Sequence, residues 1–398
     1  VAAGLFGAIV FEGGGLDGSM DEPAITITLG RLAAPEREAL WREALGERAA
    51  CDLNEVGERL RLPAGHIRKA GRLALAQADL AGRAGVTFDD VRSAVRLLGR
   101  EALETLAARL DPAGSWSDLV VSAAVKARLL ELQRRCVHRE RISGALGKAF
   151  SAHPSRGVKA LFSGPSGTGK TLAAKILAAE LGMDLYRIDL AAVVNKYIGE
   201  TEKNLHRALT AAEELDVVLL LDEGDALLGR RTEVRSANDR YANLETNFLL
   251  QRLEAYEGIV LVTTNAAENI DPAFQRRMDA VISFPSPGPE ERLAIWRLHL
   301  PSDHAVDPAS LERIARTCAL NGGQIRSAAE HAALLALESG GPIAGEHLEA
   351  AVRSEYQKRG ALCPLESEDA GAPEPPGAPA AFMRAVAKGE RADGKRRG

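Results

Sequence analysis

Between residues 157 and 285, short apolar runs alternate with segments that carry apolar residues at helical spacing. Runs this short and this continuous are typical of strands buried on both faces. Strand–helix alternation predicts a parallel sheet that is covered by helices on both faces. The predicted strands are Val158–Ser163, Leu185–Leu190, Val217–Leu221, Ile259–Thr264 and Ala280–Phe284, and the helices between them include Thr171–Leu181 and Glu202–Glu214.

After Pro289 the pattern becomes helical throughout. An all-helical module is therefore expected to follow the sheet. Its predicted helices are Glu290–His299, Asp307–Cys318, Gly323–Leu337 and Gly345–Glu355. From Glu366 onwards Pro, Ala, Gly and charged residues dominate. Such a composition buries too little apolar surface to offset the entropy of an ordered chain, which predicts a disordered tail.

Four landmarks of the N-terminal part recur in the same order, at a nearly constant offset, in the C-terminal helical module. They are Ala24–Leu29, Arg37 with Trp41, Gly65–Arg68 and Val95–Arg96, which parallel Ala280–Pro285, Arg292 with Trp296, Gly323–Arg326 and Val352–Arg353. This internal repeat predicts that residues 24–110 are a second, degenerate copy of the helical module. Generic Ala-rich helices that align by accident are the alternative. No phosphate-binding pattern precedes the first copy, and residues 1–23 are expected to be a remnant or a linker.

Composition narrows the class of protein. The net charge of −5 supplies no global basic field, so nucleic acid is a disfavoured partner. The four cysteines form no C-x-x-C pair, which disfavours a zinc site or a disulfide framework and favours a reducing, cytoplasmic environment. No apolar run approaches the ~20 residues that a membrane helix needs, so no membrane insertion is expected.

The segment Gly164-Pro-Ser-Gly-Thr-Gly-Lys-Thr171 follows a predicted strand and opens a predicted helix. Its glycines allow successive backbone N–H groups to face a phosphate, and the helix adds its positive end. A glycine-rich turn without a ligand is the alternative, which the complete pattern in this context disfavours. Lys170 is expected to reach the β- and γ-phosphates, and Thr171 to bind Mg²⁺. The predicted phosphate-binding residues are Gly164, Pro165, Ser166, Gly167, Thr168, Gly169, Lys170 and Thr171.

Polar residues end the two most apolar strands. Asp222 and Glu223 follow Val217–Leu221, and Asn265 follows Ile259–Thr264. Ligands of open α/β sheets lie at the carboxyl ends of the strands. We therefore expect Asp222 to hold Mg²⁺, Glu223 to act as general base on the attacking water, and Asn265 to position that water. Taken alone, two acids after a strand are a solvated turn and an Asn is a turn former.

These motifs resemble those of the AAA family within the AAA+ superfamily of P-loop NTPases, from about Trp116 to Glu355. The loop Gly164–Thr171 matches Walker A, Val217–Glu223 matches Walker B, and Asn265 stands at the sensor-1 position. The resemblance implies an α/β P-loop sheet, an all-helical lid, and ATP hydrolysis with Mg²⁺. It also suggests Asp118–Val121 and Ile295 as adenine contacts, with hydrophobic core as the alternative. The expected domains are 1–23 (remnant or linker), 24–110 (helical lid-like module), 111–286 (nucleotide-binding α/β domain), 287–360 (lid) and 361–398 (disordered tail).

Three arginines gain expected roles from the same resemblance. The segment Asp271–Asp279 is similar to the family's second region of homology, which makes Arg276 and Arg277 candidates for an arginine finger that acts on the ATP of a neighbouring subunit. A surface pair that closes a helix is the alternative. Arg326 stands at the sensor-2 position, from which an arginine reaches the γ-phosphate of its own chain. A finger supplied in trans implies an oligomer, most simply a homo-hexameric ring.

The segment Asn195–Leu205 resembles the first pore loop of protein-remodelling family members. Tyr197 and Ile198 would then project into a central channel and grip an extended polypeptide, because an aromatic with an aliphatic neighbour offers apolar contact to most side chains. Packing of Tyr197 on its own sheet is the alternative. Residues 229–240 are either a second channel loop or a solvated insertion. Together with Tyr241–Glu254 they are similar to bacterial AAA ATPases found with contractile phage-tail-like systems.

The function that the resemblance implies is that of an ATP-hydrolysing motor which remodels or assembles protein clients, as a hexamer that grips polypeptide with a pore loop. Two alternatives remain open at this point. One is a nucleotide-gated scaffold that changes shape with little turnover. The other is a member of the superfamily that acts on nucleic acid, which the net charge and Tyr197 disfavour.

Overall fold

The middle of the chain forms a six-stranded sheet. The computed structural model describes residues 32–104, 107–145, 157–190, 201–225, 251–266 and 270–365. The strands in these ranges are β1 (Ala108–Leu110), β2 (Val158–Ser163), β3 (Leu185–Asp189), β4 (Val218–Asp222), β5 (Ile259–Thr264) and β6 (Ala280–Ser283). Their spatial order is β1-β3-β4-β5-β2-β6, and every neighbouring pair is parallel except β1 with β3.

Helices flank the sheet and continue on both sides of it along the chain. Those before the sheet's parallel strands are α1 (Ala34–Leu45), α2 (Leu53–Arg59), α3 (Ala64–Leu80), α4 (Phe88–Glu104), α5 (Ala123–Val137) and α6 (Arg139–Ala145). Those between the strands are α7 (Lys170–Leu181), α8 (Thr201–Glu214) and α9 (Pro272–Gln275). Those after the sheet are α10 (Pro289–His299), α11 (Pro308–Thr317), α12 (Gly322–Ser339) and α13 (Gly345–Gln357).

Each face of the sheet has its own hydrophobic core. Leu219 and Leu221 of β4 are buried together with residues of α8, whereas Val218 and Leu220 are buried with residues of α5 and α7 on the opposite face. Successive side chains of a strand point to opposite faces, so a strand with helices on both sides is buried throughout and mainly apolar. All residues of β2 and of β5 are buried accordingly. The predicted α/β sheet covered on both faces is confirmed.

Strand β1 was not predicted. Its residues, which the sequence analysis assigned to the end of the N-terminal helical module, pair antiparallel with β3, and Leu110 lies opposite Leu185. The strand has three residues, two of them exposed, so it lacks the continuous apolar run that identifies the buried strands. Edge strands are commonly short and partly polar, which hides them from a search for hydrophobic runs.

The helices α10–α13 that follow the sheet have a separate core. Trp296 of α10 and Ile325 of α12 are among its fully buried members. Cys363 and Leu365 also belong to this core, although the sequence analysis placed them in the tail that begins at residue 361. Two apolar side chains beyond α13 thus extend the packed module to the last described residue. The remainder of the predicted tail, 366–398, lies outside the described residues.

Helices α1–α4 repeat local details of α10–α13. Helices α1 and α10 both carry Pro in the first turn and a glutamate that accepts a hydrogen bond from the N-cap backbone. The glutamates are Glu36, which accepts from Ala33 at 2.7 Å, and Glu291, which accepts from Gly288 at 2.8 Å. The hydrogen bond runs in one direction only, because neither Ala33 nor Gly288 has a side-chain acceptor, and it satisfies the N–H of the N-cap residue.

A buried arginine lies at the same place in each of these two helices. In both cases Nη1 donates to a backbone carbonyl five residues earlier, and Nε donates to a carbonyl near the end of the following helix. The two sets are Arg37 with Leu32 (2.5 Å) and Gly57 (2.7 Å), and Arg292 with Pro287 (2.7 Å) and Ala315 (2.7 Å). Four residues further on, Trp41 and Trp296 are both fully buried.

Ion pairs join the N-terminal helices to the sheet domain. Glu140 of α6 lies 3.0 Å from Nη2 of Arg37 and 2.6 Å from Nε of Arg61, and both arginine side chains are 2% exposed. Arg139 donates to the carboxylate of Asp216 at 2.6 Å, and the backbone N–H of Arg61 donates to the same carboxylate at 3.0 Å. Buried charges of this kind need their partners, because removing one leaves the other uncompensated.

Glu140→Ala is expected to destabilise the packing of the N-terminal helices by about 3 kcal/mol, because it leaves two buried guanidinium groups without their carboxylate. Burial alone would raise the pKa of Glu140, but the hydrogen bond from Arg37 and the charge of Arg61 lower it below its ordinary value. The stabilisation is therefore present above the ordinary pKa of a glutamate and is lost as pH falls through the lowered one. Urea unfolding at neutral and acidic pH measures both effects.

The matched control is Glu38→Ala, which removes an exposed pair with Arg42. This change is expected to alter the free energy of unfolding by at most about 0.5 kcal/mol, since both partners are solvated. A loss for Glu140→Ala no larger than for the control would contradict the structural role of the buried pair.

Candidate functional site

The loop between β2 and α7 needs glycine at its first residue. Gly164 has φ of +141°, and a Cβ atom there would lie 2.1 Å from the carbonyl oxygen of Phe284. The loop ends where α7 begins at Lys170, so the N-terminus of the helix opens onto it. A helix N-terminus next to a run of free backbone N–H groups attracts anions. The strand and the helix predicted to flank the phosphate loop are thus both present.

The side chain of Lys170 turns back over this loop. Its Nζ donates to the carbonyl oxygens of Gly164 at 2.6 Å and Pro165 at 2.9 Å, and to Oδ1 of Asn265 at 2.9 Å. Burial lowers the pKa of Lys170 below its ordinary value, and the charge of Asp222 opposes this effect. The structure therefore brings together the lysine and the asparagine that the sequence analysis selected from motifs far apart in the chain.

Two threonines of β5 hold Asp222, the last residue of β4, and Asp225, which follows that strand. Oγ1 of Thr263 donates to Asp222, and Oγ1 of Thr264 donates to Asp225. The backbone N–H of Asn265 also donates to Asp225, at 3.2 Å. Neither the threonines nor Asp225 was predicted as a site residue. The sequence signals that could have identified them are the position of Asp225 three residues after Asp222 and the two hydroxyl residues that end β5.

Glu223 has a left-handed backbone conformation, with φ of +57°. For a residue other than glycine this conformation costs of order 1–3 kcal/mol, and it persists only where neighbouring contacts impose it. Here the preceding Asp222 is held by Thr263, and the following Gly224 donates its N–H to the carbonyl oxygen of Thr263 at 2.8 Å. Glu223 is exposed and lines the cavity described next. Such local strain is typical of functional positions.

A cavity of about 380 Å³ lies between the sheet domain and helices α10 and α12. The wall on the side of the phosphate loop, called the polar wall here, contains Ser166, Gly167, Thr168, Gly169, Lys170, Thr171, Asp222, Glu223 and Asn265. Its apolar wall contains Leu119, Val121, Ile295 and Leu298. The volume is within the range of small-ligand sites, and the two walls suit a ligand with an anionic end and an apolar ring. Asp118–Val121 and Ile295, suggested as adenine contacts, all line this cavity.

Thr171 and Asp222, the predicted Mg²⁺ ligands, lie on the same polar wall. A hydroxyl and a carboxylate are the hard oxygen ligands that Mg²⁺ accepts beside phosphate oxygens and water. Asp222 is fixed by Thr263, so its carboxylate is already oriented. The donor set at this position therefore fits the ion.

Arg326 lies at the start of α12 and lines the cavity. Its side chain is 68% exposed, and its Nε donates to Glu330 at 2.8 Å. An exposed pair one turn apart on a helix contributes little and breaks easily. The predicted γ-phosphate contact is therefore near the site but is not formed by the arrangement described here.

Arg276 and Arg277 follow α9 and do not line the cavity. Nε of Arg277 is paired with Glu254, and its Nη1 donates to the carbonyl oxygen of Ala273 at 2.9 Å. Arg276 is exposed, and no side-chain hydrogen bond or ion pair holds it in the part of the chain that the structure describes. The two neighbouring arginines thus differ: Arg277 is held by residues of its own chain, and Arg276 has no side-chain partner among the described residues.

The predicted pore-loop residues Tyr197 and Ile198 lie outside the described residues, as does the basic segment 229–240. Those predictions stay predictions. Within the described ranges, no helix has both the length and the apolar character that crossing a membrane requires.

Comparison with protein families identifies the sheet domain. The family model for ATPases associated with various cellular activities (AAA) matches residues 160–286. The match starts within β2 and ends just after β6, so it contains the phosphate loop, both acids of the predicted Walker B motif and Asn265. All residues of the polar wall therefore lie within the matched range.

Curated relatives extend this likeness beyond the matched domain. The chain is 30% identical to the ATP-dependent zinc metalloprotease FtsH 3 of Sphaerobacter thermophilus over 62% of this chain and 50% of that protein. It is 32% identical to the AAA family ATPase y4kL of Sinorhizobium fredii over 55% of this chain and 67% of that protein. The 26S proteasome subunit RPT4 of Saccharomyces cerevisiae is 30% identical, over 46% of this chain and 44% of that subunit. The chain thus spans between about half and two thirds of the length of these relatives. With the matched family model and the 32% identity to y4kL over two thirds of that protein, the chain belongs to the AAA family of ATPases.

Proposed function

We propose that this chain hydrolyses ATP to remodel or assemble protein clients, and that it works as a homo-hexameric ring. The observation that carries the proposal is the placement of Lys170, Glu223 and Asn265 around one cavity. Helices α10 and α12 bound this cavity on the other side, and α10–α13 are the helices of the proposed lid. Two of the relatives are named as a proteasome subunit and an ATP-dependent protease, which supports proteins as the client class. Four free cysteines, three of them buried, agree with a cytoplasmic location.

Each residue of the polar wall has a proposed role in hydrolysis. Lys170 and the N–H groups of the loop bind the β- and γ-phosphates, and Thr171 and Asp222 hold Mg²⁺, which neutralises phosphate charge when it is bound. Glu223, which lines the cavity, accepts a proton from the attacking water. Asn265, held against Lys170, orients that water by its amide.

Arg276 is the proposed arginine finger. It is exposed and free within the described chain, whereas Arg277 is paired with Glu254 and with the carbonyl oxygen of Ala273. Because neither arginine lines the cavity of its own subunit, a role in hydrolysis requires a neighbouring subunit. Charge that develops on the γ-phosphate is stabilised by such a residue supplied in trans. Arg277 is assigned the lesser role of holding the short helix α9.

Arg326 is proposed to contact the γ-phosphate from the lid. Its exposed pair with Glu330 must break for this contact to form, and the weakness of that pair makes the exchange inexpensive. Tyr197 and Ile198 are proposed to grip the client in the channel of the ring. This role rests on the motif around them. The similarity to bacterial AAA ATPases found with contractile phage-tail-like systems stays a prediction and does not name the client.

The domain organisation is also a proposal. Residues 24–110 are assigned to a degenerate copy of the lid, supported by the matching hydrogen bonds of Glu36 and Glu291 at the helix starts and by those of Arg37 and Arg292. A backbone hydrogen bond also recurs between the loop that precedes the second helix and the segment just before the fourth helix, from Ala50 to Val86 at 2.9 Å and from Ala305 to Ile343 at 2.8 Å. The copy has no phosphate loop before it in this chain and is assigned a structural role on the sheet domain.

Lys170→Ala tests the site itself. Removal of the ammonium is expected to weaken binding of ATP by roughly 100-fold or more, because several charge-assisted hydrogen bonds to phosphate are lost together. Isothermal calorimetry with Mg-ATP on the folded protein measures the affinity. Lys69→Ala removes an exposed lysine of α3 outside the cavity wall; it is the control and should bind like the wild type. Equal affinities for wild type and Lys170→Ala would end the proposal.

The client class is tested by stimulation of the ATPase. Unfolded protein is expected to raise the hydrolysis rate of the wild type several-fold, and single-stranded or duplex DNA is expected to leave it unchanged. Stimulation by nucleic acid alone, falling steeply with salt concentration, would instead favour the nucleic-acid-acting alternative. Normal function of a variant that cannot hydrolyse ATP would favour the scaffold.

A further inference from the structure

Two carbonyl groups of the phosphate loop accept hydrogen bonds from the start of the lid helix α12. Nδ2 of Asn321 donates to the carbonyl oxygen of Ser166 at 3.1 Å, and the N–H of Gly323 donates to the carbonyl oxygen of Gly167 at 3.1 Å. The approach is close: a Cβ atom at Gly167, whose φ is +76°, would lie 2.6 Å from Oδ1 of Asn321. The lid and the loop are therefore in direct contact through their backbones and one amide side chain.

The side chain of Asn321 serves the helix and the loop at the same time. The side-chain Oδ1 of Asn321 accepts from the backbone N–H of Gln324 at 2.9 Å, and the backbone N–H of Asn321 donates to Oε1 of Gln324 at 2.9 Å. This capping box satisfies the start of the helix and leaves the amide nitrogen for Ser166. Among the residues that cap helices well, only Asn combines the required acceptor with an NH₂ donor.

The contact has a consequence on the other side of the loop. The C=O and N–H groups of a trans peptide unit point in opposite directions. Holding the carbonyl groups of Ser166 and Gly167 on the lid side therefore directs the N–H groups of Gly167 and Thr168 away from the lid contact. These residues line the cavity. Two N–H donors of the phosphate loop are thus oriented before a ligand arrives, which lowers the entropy lost on binding.

The proposed lid copy at the N-terminus lacks this feature. Helix α3, at the position that corresponds to α12, has Pro63 as its N-cap residue and no side-chain cap. Proline has neither a backbone N–H nor a polar side chain to offer. A capped helix start is therefore not required for this four-helix arrangement. Of the two corresponding helices, α12, which contacts the phosphate loop, has the amide of Asn321 as its cap, and α3 has Pro63 at that position.

We propose that Asn321 is a positioning residue that latches the lid onto the phosphate loop and orients the amide donors of Gly167 and Thr168 for the phosphates of the nucleotide. This inference rests on the proposed function, because the donors matter only if the cavity binds a nucleoside phosphate. The latch also links lid orientation to phosphate binding: a lid that swings away from the sheet domain breaks the contacts of Asn321 and Gly323 together.

Asn321→Asp and Asn321→Ser test the latch. Both variants keep a side-chain oxygen for the helix cap and lose the NH₂ group that donates to Ser166. The serine hydroxyl is one atom closer to the backbone than that nitrogen. We expect the KM for ATP and the Kd for ADP to rise about tenfold in both, with kcat within about twofold of the wild type, because the oriented N–H groups act on ground state and transition state alike. The melting temperature is expected to stay within about 2 °C.

Asp307→Ser is the matched control, since Asp307 caps α11 through Ser310 without touching the loop, and wild-type KM is expected. A wild type that binds no nucleotide would defeat the proposed function rather than the latch alone. A wild type that binds, with both variants binding equally well, would overturn the latch alone. Weakening in the Asp variant only would assign the effect to charge repulsion, and a lower kcat with unchanged KM would assign Asn321 a purely structural role; each result overturns the inference.

Discussion

Glu223→Gln is expected to lower kcat for ATP hydrolysis by about 10²–10⁴-fold while leaving ATP affinity within about threefold. The amide is nearly isosteric with the carboxylate, but it cannot accept the proton of the attacking water. Phosphate binding depends instead on Lys170 and the loop, which the substitution does not touch. Phosphate release at saturating Mg-ATP and calorimetry with Mg-ATP measure the two quantities separately.

The same variant separates a motor from a scaffold. A motor would accumulate in the ATP-bound state and stall, whereas a scaffold that only needs to bind ATP would keep its function. Glu180→Gln is a suitable control, because Glu180 is exposed on α7 and lies outside the cavity wall. Retention of wild-type kcat by Glu223→Gln would remove Glu223 as the general base and with it the proposed route of hydrolysis.

Arg276→Ala is expected to lower kcat by about 10³-fold, the lower end of what an arginine finger contributes, with ATP affinity almost unchanged. The finger meets charge that exists mainly in the transition state, so its loss appears in kcat rather than in KM. Arg277→Ala is the matched neighbour. Because Arg277 is tied to Glu254 and Ala273, its loss is expected to cost at most about tenfold, through looser positioning of α9.

Mixed oligomers show whether the finger acts in trans. Arg276→Ala subunits keep a complete phosphate site, and Lys170→Ala subunits keep the finger. In co-assembled rings roughly a quarter of the interfaces would combine the intact site of one subunit with the finger of the next. We expect activity well above that of either variant alone. A mixture that is as inactive as its components would contradict a finger supplied by the neighbour.

The buried strands were predictable because their physical requirement is local. A strand with helices on both faces is buried at nearly every position, and β2, β4 and β5 consist mainly of apolar residues. The phosphate loop was predictable for a similar reason, since its glycines and Lys170 lie within eight consecutive residues of a known pattern. Strand β1, with its short and exposed edge position, carries no comparable local signal.

Contacts between distant segments required the structure. Asn321 caps a helix in a pattern visible in the sequence, but its hydrogen bond to Ser166 depends on how the lid sits on the sheet domain. The pairing of Thr264 with Asp225 depends in the same way on the order of the strands. The difference between Arg276 and Arg277 arises from the placement of Glu254, which no motif around the two arginines specifies.

By itself, the sequence determined the chemistry of the site: a lysine among glycines, two acids after an apolar strand, and an asparagine after the next strand. It did so because each signal lies within a few residues, where backbone geometry and hydrophobic periodicity act directly. Only the tertiary structure decided how the start of α12 contacts the phosphate loop, which of the two arginines lacks a partner among the described residues, and how buried charges join the N-terminal helices to the sheet. Those contacts connect residues that are far apart in the chain, so they depend on packing that no local pattern encodes.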